Sequence, residues 1–340
     1  MTAGRVTLLD VARRAGVSRT TASFVLTGRR DMRISADAEQ RVLRAARELD
    51  YRPNLTARSL RTRVTQTIGL VSDTIATDAF AGEIIRGSTA TALTRQHLLF
   101  IGETEGDPAT EQRLIQDMLD RGVDGFLYAA MYTREIRIPS ALRGHPVVLV
   151  NCVTGGRRAV SAVSVVPDEL AAGRSAASAL LAAGHTGGIH IVGESAVHVY
   201  AARNRRTGID ETLAAAGLRV AGTVECSWWP EPAYDAVRAF LAGGPRVTAL
   251  ICLNDRLAMG AYQAAASAGL RIPEDLSVVS FDDSDLASWL RPQLTSVALP
   301  HFELGRRAVE LLLDPDREPG THLVDMPLRS RASIAPPRPR

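Results

Sequence analysis

The stretch Val6-Thr7-Leu8-Leu9-Asp10-Val11-Ala12-Arg13-Arg14-Ala15-Gly16-Val17-Ser18-Arg19-Thr20-Thr21-Ala22-Ser23 holds a helix start, a helix stop and a second start in close succession. Thr7 and Asp10 have the spacing of a capping box, in which a hydroxyl takes a free N–H of the first turn and a carboxylate returns to the cap. The helix that follows carries Leu8, Val11, Ala12 and Ala15 on one face. Gly16 ends it, because the chain must turn left-handed there and glycine does so without strain. Ser18 caps a second helix, Arg19 to Leu26, whose apolar face is Ala22 and Val25. Two helices joined by so tight a turn, the second short and polar on its outer side, predict a helix-turn-helix. Ala12 lets the helices approach, Val17 plugs the crossing, and Arg19, Thr20, Ser23 and Phe24 face outward. In a major groove Arg19 can reach a guanine edge or a phosphate, and Thr20 a thymine methyl or a base acceptor. An unrelated three-helix bundle shares this spacing, so the motif alone leaves both readings open.

After a polar loop, Ser35 starts a third helix with Asp37 and Glu39 in its first turn. Val42, Leu43, Ala46 and Leu49 form its expected buried stripe. Tyr51-Arg52-Pro53 breaks the helix. Asn54 then caps a short one, Leu55 to Leu60. Charge separates this region from the rest. Residues 1–63 hold fourteen Arg against six acids, a net of +8, whereas the remainder is −5 and the whole chain +3. A basic head on a mildly acidic body fits a polyanion-binding module attached to a soluble sensor. A basic surface with no partner is the alternative. The chain has no Lys, which suits bidentate contacts to phosphate or guanine; a codon-usage bias accounts for it equally.

From Gln66 onward short apolar runs alternate with amphipathic stretches, the pattern of βαβ units and a parallel sheet. The runs are Thr67–Val71, His97–Ile101, Gly125–Ala129, Pro146–Val150, Gly188–Val192, Ala249–Leu253 and Leu276–Phe281. So many strands exceed one average domain and predict two similar α/β lobes. The Pro-rich end, Ala335 to Arg340, reads as a disordered tail. In open parallel sheets ligands bind beyond the carboxyl ends of strands. Asp73, Asn151, Asn254-Asp255 and Asp282-Asp283 all follow such runs. They could line one cleft and meet the hydroxyls of a sugar or nucleoside, or merely cap the next helices.

The headpiece segment resembles that of the LacI/GalR family of bacterial repressors, and Tyr51-Arg52-Pro53-Asn54 with Ala57-Arg58-Ser59-Leu60 resembles that family's hinge. The resemblance continues through Ile68-Gly69-Leu70-Val71, Arg86-Gly87, Arg121-Gly122-Val123-Asp124-Gly125, Gly184-His185, Arg205 with Gly208, Ala258 with Gly260, Ser277-Val278-Val279 and Leu294-Thr295-Ser296-Val297. It implies an all-α helix-turn-helix headpiece (1–50), a hinge (51–63) and an α/β sensor like the periplasmic binding proteins, with two doubly wound parallel-sheet lobes. The lobes are expected at 64–163 with 299–325, and at 164–298 with 326–340. It further implies a ligand-responsive repressor of carbohydrate or nucleoside utilisation genes, acting as a homodimer on a near-palindromic operator. Thr7, Ser18, Arg19, Thr20, Thr21, Ser23, Phe24, Asn54, Ala57 and Leu60 are its DNA-contacting candidates. Leu60 occupies the position that wedges into a minor-groove step, where unstacking costs a few kcal/mol and is offset by the fit of the bent duplex. Asp73, Phe80, Asn151, Arg205, Trp228, Asn254 and Asp282 are placed around the effector, Arg205 forking to a hydroxyl pair or carboxylate, and Trp228 or Trp229 stacking.

Two departures stand out. Phe24 sits where the family often has Arg or His, which predicts an altered base preference. The segment Asp73 to Ala79 is longer than the common pattern and lacks its Asn-Pro. Enzyme readings find little support: without Lys there is neither a P-loop nor a Schiff-base lysine, no glycine fingerprint signals a dinucleotide, and seven His lack metal spacing. No cofactor is expected. Acid–base work by Asp282 and Asp283 remains an alternative, as does a free sugar-binding transport protein. Cys152, Cys226 and Cys252 suit neither a disulfide framework nor a zinc cluster. With no signal peptide and no apolar run of membrane length, the expected location is the cytoplasm, on the nucleoid when operator-bound, with no membrane contact.

Overall fold

The computed structural model describes residues 6–26, 34–52, 64–76, 81–155, 162–194 and 199–338. Two units make up the chain, 1–65 and 66–340. The hinge candidates Asn54, Ala57 and Leu60, and Phe80, lie outside the described residues.

The first unit packs three helices, α1 (Leu8–Ala15), α2 (Arg19–Leu26) and α3 (Ala36–Glu48). Thr7 and Asp10 close the capping box from both sides. Gly16 is left-handed at φ 64°, and its N–H returns to the carbonyls of Ala12 and Arg13. Val11, Ala12, Ala15, Ala22, Val42 and Ala45 make the core. The α3 stripe is therefore corrected: Ala45 is buried and Leu43 is exposed, since one face of the helix cannot include both. Arg41 donates to the Ala15 carbonyl at 3.1 Å, tying α3 to the end of α1.

The second unit contains two six-stranded sheets. The first has the order β11-β5-β4-β3-β1-β2. Its strands are β1 (Thr67–Ser72), β2 (Leu98–Glu103), β3 (Gly125–Ile136), β4 (Val147–Thr154), β5 (Val163–Pro167) and β11 (Gly320–Val324), all paired in parallel. The second has the order β12-β10-β9-β8-β6-β7. It consists of β6 (Ile189–Val192), β7 (Gly222–Val224), β8 (Ala249–Cys252), β9 (Ser277–Asp282), β10 (Thr295–Ala298) and β12 (Leu328–Arg329); only β12 runs antiparallel. Both sheets are doubly wound, with order reversing beside β1 and β6, which is where such folds open a ligand crevice.

Helices α4 (Gly82–Thr94), α5 (Pro108–Asp120) and α11 (His301–Leu313) serve the first lobe. Helices α6 (Glu169–Ala182), α7 (Tyr200–Ala215), α8 (Pro230–Ala242), α9 (Asp255–Ser267) and the short α10 (Asp285–Trp289) belong to the second. The two interiors are continuous apolar clusters, centred on Ile68, Leu127 and Val148 in one lobe and on Ile191, Leu250 and Phe281 in the other. Burying each such side chain contributes roughly 1.5–3 kcal/mol.

Two expectations change here. The lobe boundary expected at 163/164 falls after β5, because Val163–Pro167 pairs with β4 and β11. The tail is not disordered through 338. The Ser333 hydroxyl donates to the Val278 carbonyl at 2.6 Å, His185 meets the Ala335 carbonyl, and Arg338 pairs with Asp275 at 2.7 Å.

Candidate functional site

On the headpiece, Thr7, Ser18, Arg19 and Thr20 are exposed, and Thr21, Ser23 and Phe24 are half-buried. The Ser18 hydroxyl accepts from the Thr21 amide at 3.0 Å and bonds the Thr21 hydroxyl at 2.8 Å, fixing the start of α2. The caps Thr7 and Ser18 put the starts of α1 and α2 at the surface. Arg13 and Arg14 are also exposed, Arg14 pairing with Glu48 at 2.8 Å. In a pair so open to solvent the attraction is worth little, so both guanidiniums can turn to a polyanion.

At the carboxyl edge of the first sheet, Asp73 and Asn151 have structural work. Between Ala129 and Arg134, β3 carries extra residues opposite Asn151 of β4. Asn151 sits at φ 55°, buried, with its amide N–H groups on the Ala130 and Met131 carbonyls at 3.1 Å. Its oxygen accepts from the Thr133 hydroxyl at 2.6 Å. Asp73 accepts the Met131 amide at 2.9 Å and pairs with Arg134 at 2.8 Å. Both side chains pin the bulge. Both amide hydrogens of Asn151 are engaged within the lobe. Past the bulge β3 packs against α7 of the other lobe, and Arg134 lies over the Tyr132 ring, 5.1 Å from its centre.

The second lobe gathers the charge. Arg205 of α7 is buried, with Nε 2.6 Å and Nη2 3.1 Å from the two oxygens of buried Glu169. Nη1 donates to the Leu253 carbonyl, Nη2 stands 3.7 Å from Asp282, and the guanidinium lies over Phe281 at 4.6 Å. The fork expected to meet the effector is thus filled by Glu169, a residue that reads in the sequence only as an acid in a helix's first turn. What brings it there is the crossing of α6 and α7. A Cβ on Gly173 would stand 2.1 Å from the Arg205 carbonyl, and one on Gly208 2.1 Å from that of Leu170.

Burial opposes the charge of Arg205, but Glu169 and Asp282 more than restore it. Asp282, at φ 107°, has its carboxyl well above the usual range: burial raises it, Arg205 opposes, and Asp255 and Glu169 add to the rise. Asp255 is fully buried and accepts from Ser280, from Ser296 at 2.8 Å, and from the Ser284 amide and hydroxyl at 2.7 and 2.8 Å. Burial raises its carboxyl despite these donors.

Asn254 behaves as a cap: its oxygen accepts the Leu257 amide at 2.7 Å, and its nitrogen faces the Trp228 carbonyl at 3.5 Å. Trp228 packs on the second lobe's core. Its neighbour Trp229 is exposed, with Arg256 stacked 4.8 Å from its centre. Asp283 is taken by Arg331 at 2.6 Å. His185 is a buried pin, bonding Thr248 at 2.9 Å and Ser277 at 3.1 Å. Burial pushes the thiols of Cys152 and Cys226 up to about 12 and about 11. Among the described residues no His/Cys/Asp/Glu group could hold a metal ion, and no helix is long and apolar enough to cross a membrane.

A capped helix-turn-helix with an open polar face, on the same chain as a two-lobed crevice fold, defines a DNA-binding regulator that senses a small molecule. Residues 7–54 match bacterial regulatory proteins of the lacI family, and residues 65–329 match the periplasmic binding proteins and sugar binding domain of the LacI family. The chain belongs to the LacI family. It is 33% identical to the ribose operon repressor of Haemophilus influenzae over 322 residues, 92% of each chain. A CelR–cellobiose complex aligns over 97% of this chain and 100% of its own, with TM-score 0.66 and 28% identity. The lac repressor dimer bound to operator and the anti-inducer ONPF shares the fold, with TM-score 0.74, 24% identity, and 97% and 99% coverage.

Proposed function

We propose that the chain represses carbohydrate or nucleoside utilisation genes as a homodimer on a near-palindromic operator, and that an effector at the crevice controls it. The carrying observation is the α2 face, where Arg19 and Thr20 stand exposed behind the Gly16 turn. Two such helices, one per protomer, enter successive major grooves. Arginine contacts to phosphate supply affinity and its salt dependence; Arg19, Thr20, Ser23 and Phe24 read bases. The hinge, with Leu60 as wedge and Asn54 and Ala57 beside it, opens the minor groove between the half-sites.

Dimerisation is supported by β2. This strand is the edge of its sheet and exposes Leu98, Phe100 and Ile101; an apolar edge of this kind is an aggregation hazard unless a partner covers it. We place the effector at the carboxyl edge of the second sheet, against Asp282 and Trp229, with Asp73 on the opposite side and Phe80 as a further candidate contact. Rotation of one lobe on the other then alters how the hinges meet, coupling the sites. The chain is not an enzyme on this reading, and it works in the cytoplasm.

Removing residues 1–65 tests the assignment. The remaining unit, 66–340, is expected to bind sugars or nucleosides and to lose operator binding. In the full chain Leu60→Gly is expected to weaken operator binding while sparing the ligand. Turnover of a ligand by the truncated chain, or unchanged operator affinity in the hinge variant, contradicts the respective part.

A further inference from the structure

A buried guanidinium at the carboxyl edge of a parallel sheet ordinarily invites an anion, because its planar donors match carboxylate and phosphate oxygens. In this chain the Nε–Nη2 fork is already taken. Glu169 binds Nε at 2.6 Å and Nη2 at 3.1 Å, the Leu253 carbonyl takes Nη1, and both charged side chains are under 5% exposed. We infer that the effector is an uncharged or cationic polyhydroxyl compound, and that Glu169 excludes its anionic counterparts by closing the fork of Arg205. The inference rests on the reading of the Asp282 edge as the effector site.

The charges around that edge lean the same way. Asp282 lies among Arg205, Arg256, Asp255 and Glu169, and the charge of Arg205 is already matched by Glu169. The neighbouring cations have carboxylates of their own: Arg331 holds Asp283 at 2.6 Å, and in the first lobe Arg134 holds Asp73 at 2.8 Å. An arriving carboxylate or phosphate would find the buried guanidinium already neutralised by Glu169, where water screens poorly. Displacing Glu169 would leave a buried carboxylate without its partner, which is strongly unfavourable. Hydroxyl and ammonium donors meet the opposite situation, since Asp282 offers carboxylate oxygens with a side chain still 19% exposed. The crossing of α6 and α7 at Gly173 and Gly208 brings Glu169 to the fork, so the exclusion is a property of the packing and needs no ligand to assemble it.

The test titrates the full-length chain with glucose, glucosamine, glucuronate and glucose 6-phosphate, and with the matching galactose and ribose compounds and nucleosides, by calorimetry and thermal shift. In the wild-type chain the hits are expected to be neutral or amino compounds. Their uronate and phosphate forms are expected to bind at least tenfold more weakly. Glu169→Gln leaves the guanidinium uncompensated, and the gap between neutral and anionic forms should narrow about tenfold or more. Should that variant not fold, Asp282→Asn supplies the second arm: any preference for the amino form over the neutral one is expected to vanish. An anionic form that binds the wild-type chain as well as its neutral counterpart overturns the inference and leaves the effector site standing. So does a neutral-to-anionic ratio unchanged in a folded Glu169→Gln chain. If no compound of any charge binds, the effector-site reading itself is overturned, and the inference with it.

Discussion

At Phe24, near the end of α2, a half-buried ring stands where a side chain that donates to guanine is common among relatives. A phenyl ring cannot donate, and it has two places to go: against a thymine methyl, or back into the headpiece. Truncating it separates them. Phe24→Ala is expected to lose about 1 kcal/mol of operator affinity and to relax base preference at one position of each half-site, as read by binding to a library of operator variants. Loss of headpiece stability with base preference intact would assign the ring to packing instead. Residue identity was legible here because the motif puts each position on a known side of a short helix. It was less legible at Asn151 and Asn254. Their position after strands is the same whether the amide faces a ligand or its own backbone. The backbone partners of Asn151, the Ala130 and Met131 carbonyls, lie about twenty positions away, and Asn254 adds the Trp228 carbonyl to its local cap.

Among the elements, the pair α6 and α7 matters most for the site. With no Cβ at Gly173 or Gly208, each helix lies against the other's carbonyls. Gly208→Ala puts a methyl group into backbone and is expected to destabilise the chain by about 1–3 kcal/mol, seen as a lowered urea midpoint. The same change should loosen the Glu169–Arg205 pair and so weaken discrimination against anionic ligands. The glycines are visible in the sequence, but which carbonyl each one faces is not. Strands with strong apolar runs were predictable, and β1, β6 and β8 among them are buried along their whole length. β5, β7, β10, β11 and β12 are short or flank the crossings between lobes, where hydrogen-bonding partners rather than periodicity decide that a segment is extended. The bulge in β3 is of that kind, since it exists only against Asn151 of β4.

For the molecule as a whole, the C-terminal segment closes the second sheet. Ser333 and Ala335 bond to residues of β9 and His185, and Thr295 of β10 donates to the Ser333 hydroxyl at 2.8 Å. Burial depresses the imidazole of His185 below its usual 6.5, with the Ala335 carbonyl opposing. A base whose folded pKa is lowered holds fewer protons folded than unfolded. Stability is therefore full above the unfolded value and falls as pH drops below about 6.5. Urea midpoints are expected to decline between about pH 7 and pH 5, and His185→Gln to flatten that decline. His190, lowered in the same direction by burial, keeps a residual slope; an unaltered decline in the variant would release His185 from this role.

Local pattern was enough to specify the helix-turn-helix, the alternation of strands and helices and the doubling of the sensor, because caps, turns and periodicity act between residues a few places apart. Read against known repressors, the same pattern also indicated the family. The environment of Arg205 was decided only in three dimensions. Whether Arg205 is an open fork or a closed one depends on a carboxylate 36 positions away, brought to it by two helices that touch because neither has a side chain in the way.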